Sequence, residues 1–154
     1  MCLVHHADLS LYPAVTKPIL VKFVEAVKAE GGKVGTVGFC WGARYSILLC
    51  SDNDYPSLDA AVANHPSFLS VPDEVKAVNK PVLIQVGDSD SMMPIDQVNT
   101  TKEIFSGKTN AEVSVFPGAV HGFSVRGDQN NEKEKQQKTD SADAAIKFFK
   151  KHLA

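Results

Sequence analysis

Residues of the types that catalyse acyl transfer follow separate apolar segments of this chain, and Cys40 is the first of them. It lies between Gly38 and Gly42, where a β-forming run meets a helix-forming run. This arrangement is typical of a nucleophile elbow, a tight turn that strains its central residue. We expect both glycines to prevent clashes with the neighbouring strand and helix, and the helix dipole to favour the Cys40 thiolate. A buried cysteine without chemistry is the alternative for this segment taken alone.

Candidate acid and base residues occur further along the chain. Asp88 and Asp90 follow the apolar run 81–87, and His121 follows the run 111–116. A nucleophile needs a base within reach, and a carboxylate must fix the tautomer of that base. If the runs are parallel strands, their carboxyl ends share one edge of a sheet, and the groups meet there. The order nucleophile, acid, histidine is also that of α/β-hydrolases, so the sequence predicts a hydrolytic site.

The elements needed to position these residues are predicted from hydrophobic periodicity. Strands are expected at 34–39, 58–63, 82–87 and 111–116, and helices at 18–30, at 43–50, in one turn at 72–78, from Pro94 to Phe105, and from 140 onward. Residues 117–123 are predicted as a loop and 128–138 as a solvated linker. Right-handed crossovers then place the strands side by side in chain order. The prediction is a single domain, 1–154, with a parallel sheet flanked by helices.

Composition narrows the choice of partners. The 154 residues carry a net charge of −2, which gives no electrostatic basis for binding nucleic acid or an anionic membrane. No apolar stretch approaches the roughly 20 residues of a membrane span, and the N-terminus has no signal-peptide pattern. The three cysteines show no metal spacing, and Cys2, His5 and His6 are interpreted as solvated rather than metal-binding. We therefore expect a cytoplasmic protein with reduced thiols, no metal and no cofactor.

Three motifs together resemble the dienelactone hydrolase family. They are Gly-Phe-Cys-Trp-Gly at 38–42, the segment from Gly87 to Pro94, and Val-His-Gly-Phe at 120–123. The resemblance runs from about residue 18 to the C-terminus and implies an α/β-hydrolase fold with a triad of Cys40, Asp90 and His121. The family's acid motif selects Asp90, so that Asp88 would cap its loop instead.

The resemblance also implies roles for residues around the triad. The backbone N–H of Trp41 would supply half of the oxyanion hole. Arg126 falls near the family's carboxylate-binding arginine, although an exposed surface arginine is the preferred interpretation. Apart from the resemblance, Met93 and Phe123 are candidate apolar walls of the pocket, although ordinary packing is the preferred interpretation of each. His65 ends the second strand at the same edge, and a capping role is favoured over a place in the pocket.

The resemblance does not extend to the first strands of the family's fold, which have no counterpart in this sequence. Family members have several strands before the helix that matches 18–30, and the loop with the second oxyanion N–H belongs to that part. The chain is therefore expected to be the C-terminal part of the fold, with about four strands. Strand 34–39 would then be an exposed edge. We expect two copies to pair across it in a homodimer, and the alternative is that residues 1–16 fold over it.

The function predicted from these residues is hydrolysis of a small ester, lactone or thioester through an acyl-enzyme on Cys40. The alternative is an inactive or weakly active homologue that serves as a binding or interaction module. Glycoside hydrolysis is disfavoured, because it needs two carboxylates on either side of the scissile bond. Asp88 and Asp90 are two residues apart on one loop.

Overall fold

The computed structural model describes the backbone of residues 11–154 and the side chains from residue 14 onward. The chain divides after Gly32 into two units, each described by itself. The first holds helix α1, Leu11–Ala29. The helix begins at Leu11 rather than at residue 18, so Pro18 lies inside it and costs it one backbone hydrogen bond. No helix among the described residues is long and apolar enough to span a membrane.

The second unit, from Lys33 onward, is built on a parallel sheet of four strands. The strands are β1 (Gly35–Phe39), β2 (Ala60–Asn64), β3 (Val82–Gly87) and β4 (Ala111–Phe116). They lie side by side in chain order, as predicted. The pairs Phe39–Asn64, Asn64–Gln85 and Gly87–Phe116 align the carboxyl ends of the strands along one edge. The predicted fold class is confirmed.

The core lies around the two central strands, because every residue of β2 and β3 is buried. Apolar residues fill both faces of these strands, as expected when helices cover both sides of a parallel sheet. Phe148 on the last helix packs against Ala60, Val62 and Leu83. The central strands are thus fixed in place, and the loops that leave their carboxyl ends start from a rigid base.

Five helices follow strands or loops of this unit. They are α2 (Trp41–Leu48), α3 (Asp73–Lys76), α4 (Ile95–Ser106), α5 (Phe123–Arg126) and α6 (Glu132–Leu153). The prediction of a linker over 128–138 was wrong for most of its length, since α6 begins at Glu132. The Asn131 side chain accepts hydrogen bonds from the N–H groups of Lys133 and Glu134. Asparagine is a favourable N-cap, and Glu132 adds a negative charge in the first turn, where the helix dipole favours it.

An ion pair joins the helix behind Cys40 to its neighbour. Arg44 on α2 donates through Nε to both carboxylate oxygens of Glu74 on α3, at 3.0 Å each, and through Nη2 to Oε1 at 2.6 Å. The hydrogen bond to Glu74 raises the pKa of Arg44 above its ordinary value. Such a two-pronged contact fixes direction as well as distance. The ion pair therefore helps to fix the orientation of α2, the helix that begins directly after Cys40.

Candidate active site

The turn between β1 and α2 holds Cys40 in a strained conformation, with φ of 51° and ψ of −121°. Backbone torsions of this kind cost about 1–3 kcal/mol and persist only where surrounding contacts enforce them. One such contact is the close approach of the Gly38 backbone to Gly42 and Ser46. A Cβ on Gly38 would collide with the backbone of Gly42 and the hydroxyl of Ser46. The Cys40 N–H donates to the carbonyl of Asn64 at 3.1 Å. The sulfur is thereby presented at the carboxyl edge of the sheet.

The two glycines of the elbow have different roles. We expected both to prevent clashes, and for Gly42 this was wrong. A Cβ at Gly42 would meet no described atom within 4 Å. Gly42 lies in the first turn of α2 with open space beside it, so only Gly38 is required by close packing.

The acid and histidine loops meet at Gly87, the last residue of β3. A Cβ on Gly87 would collide with the carbonyl of Ala119, so the absence of a side chain allows the loops after β3 and β4 to touch. The N–H of Ser89 also donates to that carbonyl at 3.2 Å. This contact brings Asp90 on the first loop beside His121 on the second.

Asp90 and His121 form a close pair. Nδ1 of His121 lies 3.0 Å from each carboxylate oxygen of Asp90, whose side chain is buried. One of these oxygens also accepts the N–H of Met92 at 2.8 Å. Asp88 instead accepts the N–H of Gly118 at 2.7 Å, which ties its own loop to the next. The structure therefore brings Asp90, and not Asp88, to the histidine.

A second histidine, His65, contacts the cysteine directly. Its Nδ1 lies 3.4 Å from the Cys40 sulfur and accepts the Cys40 N–H at 3.3 Å. Its Nε2 lies 2.7 Å from the hydroxyl of Ser124. No hydrogen bond joins Cys40 to His121 among the described residues, and Nε2 of His121 lies 3.3 Å from the Ser67 hydroxyl. The sulfur and one ring nitrogen of each histidine are nonetheless all within 4.8 Å of one another.

His65 is the site residue that sequence analysis did not select. It is fully buried, and this burial lowers its pKa to about 4, so the ring is neutral at pH 7. The rings of His65 and His121 meet edge to face with centroids 5.2 Å apart. The sequence signal that could have identified His65 is its position directly after β2. Asn64 pairs with Phe39, so the residues that follow them, His65 and Cys40, lie opposite each other.

The remaining predicted residues differ in their exposure to solvent. Arg126 is exposed, and its Nη2 lies 3.7 Å from the Cys40 sulfur. Met93 and Phe123 are buried, and the Phe123 ring lies 5.7 Å from that of His65. Trp41 begins α2, and the residue is 38% exposed. Arg126 is thus near the sulfur, while Met93 and Phe123 pack beneath the surface.

A parallel sheet whose first strand ends in a strained cysteine turn, with an acid and a histidine at the same edge, defines an α/β-hydrolase-like protein. A crystal structure of a dienelactone hydrolase candidate from Klebsiella pneumoniae superposes with a TM-score of 0.60 and 28% identity, over 88% of this chain and 65% of that one. The model of the dienelactone hydrolase family matches residues 11–153. The chain therefore belongs to the dienelactone hydrolase family.

Curated relatives extend this comparison. Hydrolase pyvD of Aspergillus violaceofuscus is 26% identical over 144 residues, which are 92% of this chain and 57% of that protein. A carboxymethylenebutenolidase homolog of Xenopus tropicalis is 33% identical over 98 residues, covering 61% of this chain and 38% of the relative. The chain thus spans about half the length, or less, of these relatives.

Proposed function

We propose that this chain hydrolyses small esters, lactones or thioesters with Cys40 as the nucleophile, His121 as the general base and Asp90 as the residue that orients the base. The observation that carries the proposal is the strained Cys40 turn within 4.8 Å of a histidine that is held by a buried carboxylate. The family of the chain and the printed names of its relatives support hydrolysis as the class of reaction.

His121 is assigned as the base because it, and not His65, has a carboxylate partner. A carboxylate on Nδ1 keeps the proton there and leaves Nε2 free to accept another, and it stabilises the imidazolium that forms. The hydroxyl of Ser124 beside His65 carries no charge to do this. His65 therefore contacts the resting thiol, and the sulfur moves toward His121 when substrate binds.

The reaction then takes two steps. The Cys40 proton passes to Nε2 of His121 as the sulfur attacks the carbonyl carbon, and the Trp41 N–H stabilises the oxyanion. The carbon–oxygen bond to the alcohol breaks, His121 returns the proton to the leaving oxygen, and a thioester remains on Cys40. His121 next takes a proton from water, the hydroxide attacks the thioester, and the thiol is re-formed as the acid leaves.

The surrounding residues fit a small acidic substrate. The guanidinium of Arg126, 3.7 Å from the sulfur, attracts the negative charge of both a thiolate and a substrate carboxylate. Phe123, whose ring lies 5.7 Å from that of His65, forms part of the floor of the site. Because a thiol nucleophile must remain reduced, the proposal places the protein in the cytoplasm.

The proposal is tested by ester hydrolysis before and after alkylation with iodoacetamide. Loss of turnover in parallel with modification of Cys40 is the expected result. Turnover that survives complete alkylation of Cys40 would rule out the thiol mechanism. Absence of turnover on a panel of small esters, lactones and thioesters would instead favour the alternative of a binding module.

We further propose that two copies associate through β1. This strand lies at the edge of the described sheet, and its Val37 and Phe39 are 48% and 41% exposed. An apolar groove of about 300 Å³ runs beside them, lined also by Val125 and Ile146. Exposed apolar edge strands pair readily with a second strand, which supports a homodimer.

A further inference from the structure

The cluster of Cys40, His65 and His121 has the donor set of a metal site. Its three ligand atoms, one sulfur and two imidazole nitrogens, all lie within 4.8 Å of one another. Thiolate and imidazole are the ligands that Zn²⁺ prefers, and three protein ligands with an open fourth position are a common arrangement for this ion. The cluster therefore has the ligand set of a zinc site, and it includes the nucleophile and the base of the proposed hydrolysis.

Both histidines are oriented in the way that metal-binding histidines usually are. A metal-bound imidazole normally donates its other N–H to a carboxylate or another acceptor, which fixes the ring. Nδ1 of His121 lies 3.0 Å from both oxygens of Asp90, and Nε2 of His65 lies 2.7 Å from the hydroxyl of Ser124. The remaining nitrogen of each ring is thus available on the side of Cys40.

The distances require only a small contraction. Zinc bonds of about 2.3 Å to sulfur and 2.0–2.1 Å to nitrogen separate two tetrahedral ligands by about 3.3–3.6 Å. The sulfur of Cys40 and Nδ1 of His65 are already 3.4 Å apart. The other ligand atoms lie within 4.8 Å, so His121 needs to approach by at most about 1.2–1.5 Å. Doing so exchanges its 3.3 Å contact with Ser67 for the metal.

We propose that Cys40, His65 and His121 bind one Zn²⁺ ion and that the bound ion blocks the cysteine. On binding, the thiol of Cys40 releases its proton to solvent and a sulfur–zinc bond forms. The free nitrogen lone pairs of His65 and His121 complete three of the four ligand positions. Nothing is oxidised or reduced, and a chelator reverses the reaction.

Arg126 opposes the ion and supplies a distinctive test. Its guanidinium, 3.7 Å from the sulfur, is a cation beside the proposed cation site. The side chain is exposed, so it is able to swing away, but its charge still repels the metal. Replacing Arg126 with glutamine is therefore expected to tighten zinc binding severalfold, whereas a change to a ligand weakens it.

The experiment measures metal binding directly and uses no substrate, so its outcome is independent of the proposed hydrolysis. Cys2, His5 and His6 lie outside the described side chains and carry the same donor types, so the reference protein is the Cys2→Ser/His5→Ala/His6→Ala variant. Calorimetry with ZnCl₂ and absorption spectroscopy with CoCl₂ are expected to show one ion per chain and a thiolate-to-cobalt charge-transfer band.

Further variants in this background locate the ligands. Cys40→Ser nearly conserves shape and is expected to abolish the charge-transfer band. Asp90→Asn is expected to weaken zinc binding about 10–100-fold, and His65→Ala by more, because it removes a ligand. His152→Gln alters a histidine outside the cluster and serves as the control that leaves the affinity unchanged.

Unchanged zinc affinity in Cys40→Ser, or a cobalt complex without a thiolate band, would overturn the proposal. So would weaker binding in Arg126→Gln. Circular dichroism of each variant identifies any that fail to fold. If a variant of a buried residue does not fold, Cys40→Ser and Arg126→Gln decide the outcome, because Cys40 is partly exposed and Arg126 is exposed.

Discussion

Cys40 has two imidazole rings beside it, and only one of them is held by a carboxylate. His65 is in contact with the sulfur, while His121 is bound to Asp90 and is not hydrogen-bonded to Cys40 in the described structure. The proposed mechanism therefore includes a movement of the sulfur between the two rings. A substrate carboxylate at Arg126 is the proposed trigger, because the Arg126 guanidinium lies 3.7 Å from the sulfur.

Cys40 is expected to be more reactive toward alkylating agents than Cys50. Cys50 is fully buried, and this burial raises its pKa to about 12, so it is a poor nucleophile at neutral pH. Cys40 is partly exposed at the edge of the sheet. Peptide mapping after a limiting dose of iodoacetamide is expected to find Cys40 modified before Cys50. Equal labelling of the two, or labelling at Cys2 alone, would contradict this expectation.

Asp90→Asn is expected to reduce kcat by about 10⁴, because an amide does not hold the productive tautomer of the base. The substitution preserves size and retains an oxygen for the N–H of Met92. Asp88→Asn is the matched control, since Asp88 bonds to Gly118 and lies outside the histidine contact. Steady-state kinetics of both variants on one ester decide the assignment, and comparable losses in the two would refute it.

The types and spacing of the proposed triad residues were visible in the sequence, but their contacts were not. Cys40, Asp90 and His121 each follow a strand, and a parallel sheet brings such positions together. The place of His65 depends on how its backbone turns after β2, where it has a φ of 39°. No periodic pattern predicts a single left-handed residue, and for this reason a capping role was preferred.

The elbow is the element on which the site depends, and its glycines allow a controlled test. Gly38→Ala is expected to lower the free energy of unfolding by about 1–3 kcal/mol through overpacking against Gly42 and Ser46. In Gly42→Ala the added Cβ meets no described atom within 4 Å. This substitution is expected to raise the free energy of unfolding by about 0.4–1 kcal/mol, because alanine restricts the unfolded chain. Urea denaturation of both variants provides the measurement. Equal destabilisation would show that the two positions are packed alike.

Element boundaries were predictable where apolar residues mark them. β3 and β4 begin and end at the predicted residues because their apolar runs are sharply bounded. The N-terminal part of α6 was missed, since its first turns are polar and lie on the surface. A cap at Asn131 and acidic residues in the first turn stabilise such a segment without any apolar pattern.

At the level of the whole molecule, the edge strand β1 is expected to make the protein dimeric. Light scattering at micromolar concentration is expected to give twice the monomer mass. Val37→Lys is expected to restore the monomer, because a charge on an edge strand hinders pairing. Ile95→Lys, which changes an exposed apolar residue on α4 instead, is the control. A monomeric parent protein at these concentrations would contradict the edge-pairing proposal.

The proposed mechanism requires Cys40 to carry the acyl group during hydrolysis, and intact-protein mass spectrometry detects such an adduct. The protein is mixed with p-nitrophenyl acetate and quenched in acid during the first turnovers, so that an acyl-enzyme is trapped before water hydrolyses it. We predict one added acetyl group per chain, located on the peptide that contains Cys40 and absent from Cys40→Ala. Turnover without any adduct, or an adduct that persists in Cys40→Ala, would exclude Cys40 as the acyl carrier.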